Sequence, residues 1–112
     1  MTKQELLQRI DNAIMNMTGL NKLDHHGMAF IHYAAQFGLP LIIMDLLGAG
    51  ANVDQADKNG STALMFAAYE GYLDIVTKLF EVGAKVNHAN KNGMTALMYA
   101  AYHGDLDIVT TL

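Results

Sequence analysis

The chain has 112 residues, of which 52% are hydrophobic, so it is long enough for one small domain and too apolar for a disordered tail. Its formal net charge is −4 and its seven lysine and arginine residues form no cluster, which argues against a basic face for nucleic acid. It has no cysteine, which excludes disulfides, thiolate metal sites and cysteine nucleophiles.

Residues 1–22 predict one helix that opens with the polar stretch MTKQELLQRID. This stretch lacks the apolar core of a signal peptide, so we expect a cytoplasmic protein, or one exported without a recognisable signal peptide. Thr2 and Glu5 form a capping-box pattern at the start of the helix. The polar residues that follow suit a capping helix that faces water.

Residues 28–48 have the average hydropathy of a membrane span, but two short buried helices explain them better. Gly38, Leu39 and Pro40 interrupt the apolar run, and Gln36 and Asp45 interrupt it further. We therefore predict no membrane insertion.

The second half of the chain contains two nearly identical phrases, NGSTALMFAAYEG at residues 59–71 and NGMTALMYAAYHG at residues 92–104, 33 positions apart. In the wider alignment of 56–79 with 89–112, six of 24 positions differ, which leaves 18 identical. Internal repetition of this period is typical of solenoid proteins.

A further shift of 33 residues places Gly60 on Gly27 and Gly71 on Gly38. The repeat therefore extends toward the N-terminus. An unrelated amphipathic helix that packs at that end is the alternative for residues 1–22. The predicted organisation is a degenerate capping half-repeat at 1–22, full repeats at 23–55 and 56–88, and a truncated repeat at 89–112.

Each unit predicts a helix, a turn, a second helix and a hairpin-like loop. Leu64, Ala67, Ala68 and Gly71 fall on one stripe of the first helix, whose small residues allow a neighbour to come close. We expect Thr62 to cap this helix and Gly71 to end it in a left-handed conformation. Neither helix of a unit buries its apolar side alone, so neighbouring units must stack.

The recurring pattern Asp-x-x-Gly-x-Thr-x-Leu-x-x-Ala-Ala-x-x-Gly, then Ile-Val-x-x-Leu, then Gly-Ala-x-Val-Asn, resembles the ankyrin repeat over residues 23–112. The resemblance implies an all-α ankyrin-repeat solenoid. One departure is that the family's Thr-Pro-Leu-His is Thr-Ala-Leu-Met at residues 62–65 and 95–98, which suggests somewhat softer repeats. The first unit keeps the histidine as His32, for which the resemblance implies a structural role.

The resemblance also implies a non-catalytic module that binds another protein on its concave face, through the loop tips and the first helices. Carried over by position, this face comprises His25, His26, Met28, Gln36 and Phe37 in the first unit, Lys58, Asn59, Ser61, Tyr69 and Glu70 in the second, and Lys91, Asn92, Met94, Tyr102 and His103 in the third. Aromatic residues and methionine are enriched in interface cores, which supports the assignment independently. The opposing interpretation is that Tyr69 and Tyr102 merely cover the joint between repeats.

No catalytic constellation is recognisable, so an enzyme is not expected. Ser61 has no His–Asp pair near it, and the adjacent His25 and His26 cannot easily share one tetrahedral metal. We predict no metal and no cofactor. The alternative function is an accessory or regulatory segment for a catalytic domain outside this chain.

The C-terminal stretch DLDIVTTL is apolar and lacks a polar capping helix. Leu106, Ile108, Val109 and Leu112 are therefore expected to be poorly covered. Continuation into a longer repeat array, or self-association through this end, would cover them.

Two differences between the repeated phrases fall on the proposed binding face. Among their thirteen positions, only Ser61/Met94, Phe66/Tyr99 and Glu70/His103 differ. The Phe66/Tyr99 pair keeps an aromatic ring and is expected to keep its packing role. The other two pairs are thus the sharpest sequence indication of where function lies.

Overall fold

The computed structural model describes residues 1–16 and 18–112, which form helices and no strands. The helices are α1 (Lys3–Asn16), α2 (Phe30–Phe37), α3 (Pro40–Gly48), α4 (Ala63–Glu70), α5 (Leu73–Glu81), α6 (Ala96–Tyr102) and α7 (Leu106–Thr111). They form an elongated stack of 39 × 25 × 25 Å. The predicted all-α architecture is confirmed.

Helix α1 begins as its sequence predicts. The Thr2 hydroxyl accepts the Glu5 backbone N–H at 3.1 Å, which is the first half of a capping box. Leu6 and Ile10 are completely buried, and the helix packs on α2. A helix that packs on α2 is thus present at this end, while its role as a capping unit and its assignment to a degenerate repeat stay predictions.

The apolar stretch 28–48 forms two short helices, as predicted, because the chain reverses at Gly38. This residue has φ 72° and ψ 48°, and the next N–H, that of Leu39, donates to the Ala34 carbonyl at 2.9 Å. Pro40 occupies the first turn of α3, where its missing N–H costs nothing. Helix α3 is less buried than expected, since Leu41 is 78% exposed. No described helix is both long and apolar enough to cross a membrane.

The helices form two layers. The first helices of the units, α2, α4 and α6, lie side by side, and the second helices, α3, α5 and α7, form the other layer. The alanines that are completely buried on these first helices are Ala34, Ala35, Ala67, Ala68 and Ala100. The alanines of the predicted stripe thus belong to the buried core, whereas Gly71 is exposed.

The two threonines before the repeated helices behave differently. Thr95 accepts the Met98 N–H at 3.3 Å and caps α6. Thr62 occupies the same position before α4 but makes no capping bond, so that prediction is wrong; its side chain is packed in the interior instead. Gly71 ends α4 with φ 82° and ψ 25°, as predicted.

Identical residues differ in burial between the second and third repeats. Leu64 and Met65 are each 2% exposed, whereas Leu97 and Met98 are 42% and 48% exposed. Helix α6 covers α4, and no later helix of the described chain covers α6 in the same way.

Exposure at the C-terminal end is only partly as predicted. Leu106 is 75% exposed, and Val109 and Leu112 are half-buried. Ile108 is completely buried, so its predicted exposure is wrong. It belongs to the same hydrophobic core as α5, against which α7 packs.

We expect truncation of the same leucine in two repeats to have different costs. Leu64→Ala removes a buried side chain and should lower the free energy of unfolding by about 2–5 kcal/mol. Leu97→Ala, at the equivalent position in α6, should cost less than about 1 kcal/mol. Urea unfolding followed by circular dichroism measures both, and equal losses would contradict the burial difference.

Candidate functional site

Each loop tip of the proposed binding face is held by one polar side chain. A carboxylate or amide oxygen of Asp24, Asp57 or Asn90 accepts the backbone N–H groups two and four residues later, at distances between 2.8 and 3.1 Å. These N–H groups belong to His26, Met28, Asn59, Ser61, Asn92 and Met94. Six predicted site residues are therefore positioned through their main chain, which fixes the loop without using their side chains.

Neighbouring loops are joined to each other by backbone hydrogen bonds. The Lys58 N–H donates to the Gly27 carbonyl, and the Lys91 N–H donates to the Asn59 carbonyl, both at 2.9 Å. A Cβ atom on Gly27 would lie 2.5 to 2.6 Å from carbon atoms of the Lys58 side chain, and Gly27 has φ +74°. Only glycine allows this approach, so the spacing of the loop tips is fixed by backbone contact.

The loop residue also ties to the helix that follows it, in two of the three units. The Tyr33 hydroxyl donates to the Asp24 carboxylate, and the Asn90 amide donates to the Tyr99 hydroxyl at 3.0 Å. In the second unit, Phe66 has no hydroxyl group and cannot form this hydrogen bond with Asp57. All three units therefore have an aromatic ring at the position of Tyr33, but only the first and third have the hydrogen bond between the loop residue and that ring.

The Asp24–Tyr33 bond changes the acidity of both groups. Partial burial of Asp24 works to raise its pKa, but hydrogen bonds from Tyr33 and from the N–H groups of Met28 and His26 outweigh it and lower the pKa. Burial, followed by the bond to Asp24, raises the pKa of Tyr33 to about 12. The pair is therefore a neutral phenol held on a carboxylate at neutral pH.

His32 is a structural residue, as the resemblance implies. It is completely buried; its Nδ1 accepts the Ala29 N–H at 2.9 Å, and its Nε2 lies 2.6 Å from the Gln55 carbonyl oxygen. These partners require the neutral ring with its proton on Nε2. Burial lowers the pKa of His32, because the charged ring would lose its hydration in the interior, and this outweighs the bond to Gln55 and the nearby carboxylates.

Aromatic side chains line the face between α4 and α6. Tyr69 is 51% exposed and Tyr102 is 82% exposed. The Tyr69 ring meets the Tyr99 ring edge-on with centroids 5.6 Å apart, and meets the His103 ring edge-on at 4.7 Å. His103 also meets Tyr102 edge-on at 5.3 Å. Tyr69 thus does pack across the joint between repeats, yet half of its surface stays accessible.

A cavity of about 210 Å³ opens on this face, and we call it the Tyr69 slot. Its lining residues come from α2, α4, α6 and the loop before α4, and they are Gln36, Ser61, Met65, Phe66, Tyr69, Glu70 and Tyr99. Four of them belong to the predicted binding face. Of the other three, Met65, Phe66 and Tyr99, the sequence predicts a packing role for the two aromatic residues.

The remaining predicted residues do not share the Tyr69 slot. His25 and Met28 line a separate cavity of about 450 Å³ beside α1, together with Phe30 and Tyr33. The other loop-tip members, His26, Lys58, Asn59, Lys91 and Asn92, are exposed, Met94 is half-buried, and Phe37 is 38% exposed. Within the described residues, no three histidine or acidic side chains converge in a way that could hold a metal ion.

We expect the stability of the protein to fall on acidification because of His32. Its folded pKa is lowered, so the unfolded chain binds the extra proton more readily. The stabilisation of the folded state by neutral His32 is complete above about pH 6.5, the ordinary histidine pKa, and is lost as the pH falls below that value. His32→Gln should be less stable than the wild type at pH 7, by about 1–3 kcal/mol, but should lose less between pH 7 and pH 5.

Urea unfolding at a series of pH values measures this difference. His25→Gln is the matched control, because His25 is exposed and should leave the pH dependence unchanged. If the free energy of unfolding of His32→Gln depended on pH as strongly as that of the wild type, His32 would not be the source of the pH dependence.

Comparison with known protein families agrees with this geometry. A family model described as ankyrin repeats (three copies) matches residues 31–112, which include nearly all of α2 and the whole of α3 to α7. A comparison with curated proteins gives no match. The chain therefore belongs to the ankyrin repeat family, whose members generally act as protein–protein interaction modules and are typically non-catalytic.

Proposed function

We propose that this chain is a non-catalytic module that binds another protein on the face formed by its loop tips and its first helices. The observation that carries the proposal is the exposure of aromatic rings on this face. Tyr69 and Tyr102 keep 51% and 82% of their surface accessible, while Ala67, Ala68 and Ala100 on the same helices are completely buried. Tyrosine provides a large contact area and loses little conformational freedom on binding, which is why it dominates interface energetics.

The rigidity of the loop tips supports the same proposal. Their backbone is held by Asp24, Asp57 and Asn90 and by the bonds between neighbouring loops. A surface that is ordered before binding does not lose that entropy on association. The backbone that carries the exposed residues Lys58, Asn59, Lys91 and Asn92 is thus held in place before binding.

We also propose that the protein acts in the cytoplasm and needs no cofactor for binding. The first proposal rests on the polar character of the stretch MTKQELLQRID, and the second on a binding face that consists of the chain's own side chains. The partner is another protein, and recognition requires only the preformed face.

A paired tyrosine variant tests the binding face. Tyr69→Ala combined with Tyr102→Ala should reduce capture of a native partner from lysate roughly tenfold, because exposed tyrosines at an interface centre carry much of its energy. The melting temperature should fall by only a few degrees, since neither ring is buried. Quantitative mass spectrometry of the captured proteins and circular dichroism give the two readouts.

The control carries the same loss of apolar surface on the other layer of helices. Leu41→Ala with Phe80→Ala removes side chains that are 78% and 47% exposed on α3 and α5. Capture should survive this change. Undiminished capture by the tyrosine variant would count against the proposed face.

A further inference from the structure

We propose that the Tyr69 slot receives an arginine side chain of the partner, which Glu70 holds at the rim. This inference rests on the proposed function, because it specifies which partner chemistry the binding face accepts. The argument depends on the charge, the walls and the size of the slot.

The charge of the slot is negative and has one source. Helices α2, α4 and α6, all of whose residues the structure describes, have the sequences FIHYAAQF, ALMFAAYE and ALMYAAY, in which only Glu70 is formally charged. The residues that line the slot include no lysine, arginine or histidine. An approaching cation would therefore meet a carboxylate with no competing positive charge in the slot.

The position of Glu70 within α4 increases this attraction. It is the last residue of the helix, and the last turn contains no basic residue. The carbonyl end of a helix carries a partial negative charge, so an acidic side chain there is unfavourable for the helix itself. An external cation at this point relieves the repulsion as well as pairing with the carboxylate.

The walls of the slot are aromatic and held in place. Tyr69 is fixed by edge-on contacts with Tyr99 and His103, and the Tyr99 hydroxyl accepts a hydrogen bond from Asn90 at 3.0 Å. Aromatic rings attract cations, and the guanidinium group, being planar, also stacks on them. Because the rings are ordered beforehand, a guanidinium loses less free energy to wall reorganisation.

The polar lining suits a donor with several N–H groups. The Glu70 carboxylate and the Gln36 side-chain carbonyl are acceptors, and the Ser61 hydroxyl retains a lone pair after accepting the Asn90 amide at 3.2 Å. Arginine offers five N–H donors in a planar fork, whereas lysine offers a compact ammonium without a stacking surface. The slot volume of about 210 Å³ is below the roughly 300–1,000 Å³ of small-molecule sites and suits one side chain.

The corresponding position one repeat earlier lacks these properties. There Gln36 stands where Tyr69 stands in the next repeat, and Phe37 stands where Glu70 stands. The third repeat has His103 at that position. A single arginine site is therefore expected, at the second repeat.

The test uses peptides selected for binding to the chain from a random display library. We expect arginine to recur at one position of the selected sequences. In a synthetic selected peptide, replacing that arginine by citrulline, its neutral isostere, should weaken binding about tenfold, as measured by fluorescence anisotropy. Replacement by lysine should also weaken binding.

Substitution of the acidic partner completes a double-mutant cycle. Glu70→Gln should weaken binding of the arginine peptide about as much as the citrulline replacement does. It should leave binding of the citrulline peptide unchanged. Glu81→Gln is the matched control, since it makes the same charge change at an exposed position on α5. It should leave binding of the arginine peptide unchanged.

Failure of this inference can be distinguished from failure of the proposed function. Selected peptides that depend on Tyr69 and Tyr102 but bind equally well with citrulline would overturn the arginine slot and keep the binding face. If replacing the arginine of the peptide by lysine did not weaken binding, the assignment of the slot to arginine would be overturned. Selection of no peptide, or of peptides indifferent to Tyr69→Ala with Tyr102→Ala, would overturn both.

Discussion

Close packing of the first helices through paired alanines is the contact on which the rest of the structure depends. Ala34, Ala35, Ala67 and Ala68 are completely buried, and none has a side chain larger than a methyl group. The helices can therefore lie nearer to each other than larger residues would allow. Each loop also lies within hydrogen-bonding distance of the next, so the stacking of the units determines how far apart the contact residues of successive repeats lie.

The fold is predictable from the sequence because the same pattern of residues occurs in successive repeats. Identical residues at a 33-residue spacing imply the same helices and the same turns, and Gly38 and Gly71 do end α2 and α4 in the left-handed region. What the sequence cannot specify is burial that depends on a neighbour. Leu64 and Leu97 have the same local sequence but opposite environments, and Ile108 is covered by a packing arrangement that no local pattern encodes.

The candidate site was predictable as a face but not as a cavity. Positions in the repeat are enough to name Ser61, Tyr69 and Glu70. For Phe66 and Tyr99, the shared aromatic ring predicts only a packing role. Their roles in the Tyr69 slot depend on how rings from different repeats are oriented across the joint. The sequence did contain one indication of the Asn90–Tyr99 hydrogen bond. Asp57/Asn90 and Phe66/Tyr99, nine residues apart, both differ between the second and third repeats.

The hydrogen bonds that order the loop tips have a consequence for how such a surface can change. Asp24, Asp57 and Asn90 hold main-chain N–H groups, so most of the residues that supply these N–H groups close the loop without using their side chains. Ser61 is an exception, because its hydroxyl also accepts the Asn90 amide of the next loop. Substitution at the other positions alters what the loop recognises and leaves how it folds intact. Contacts between repeats are made only with immediate neighbours, so a change in one loop is not transmitted along the stack. Binding specificity in this chain is therefore open to stepwise evolution, one repeat at a time.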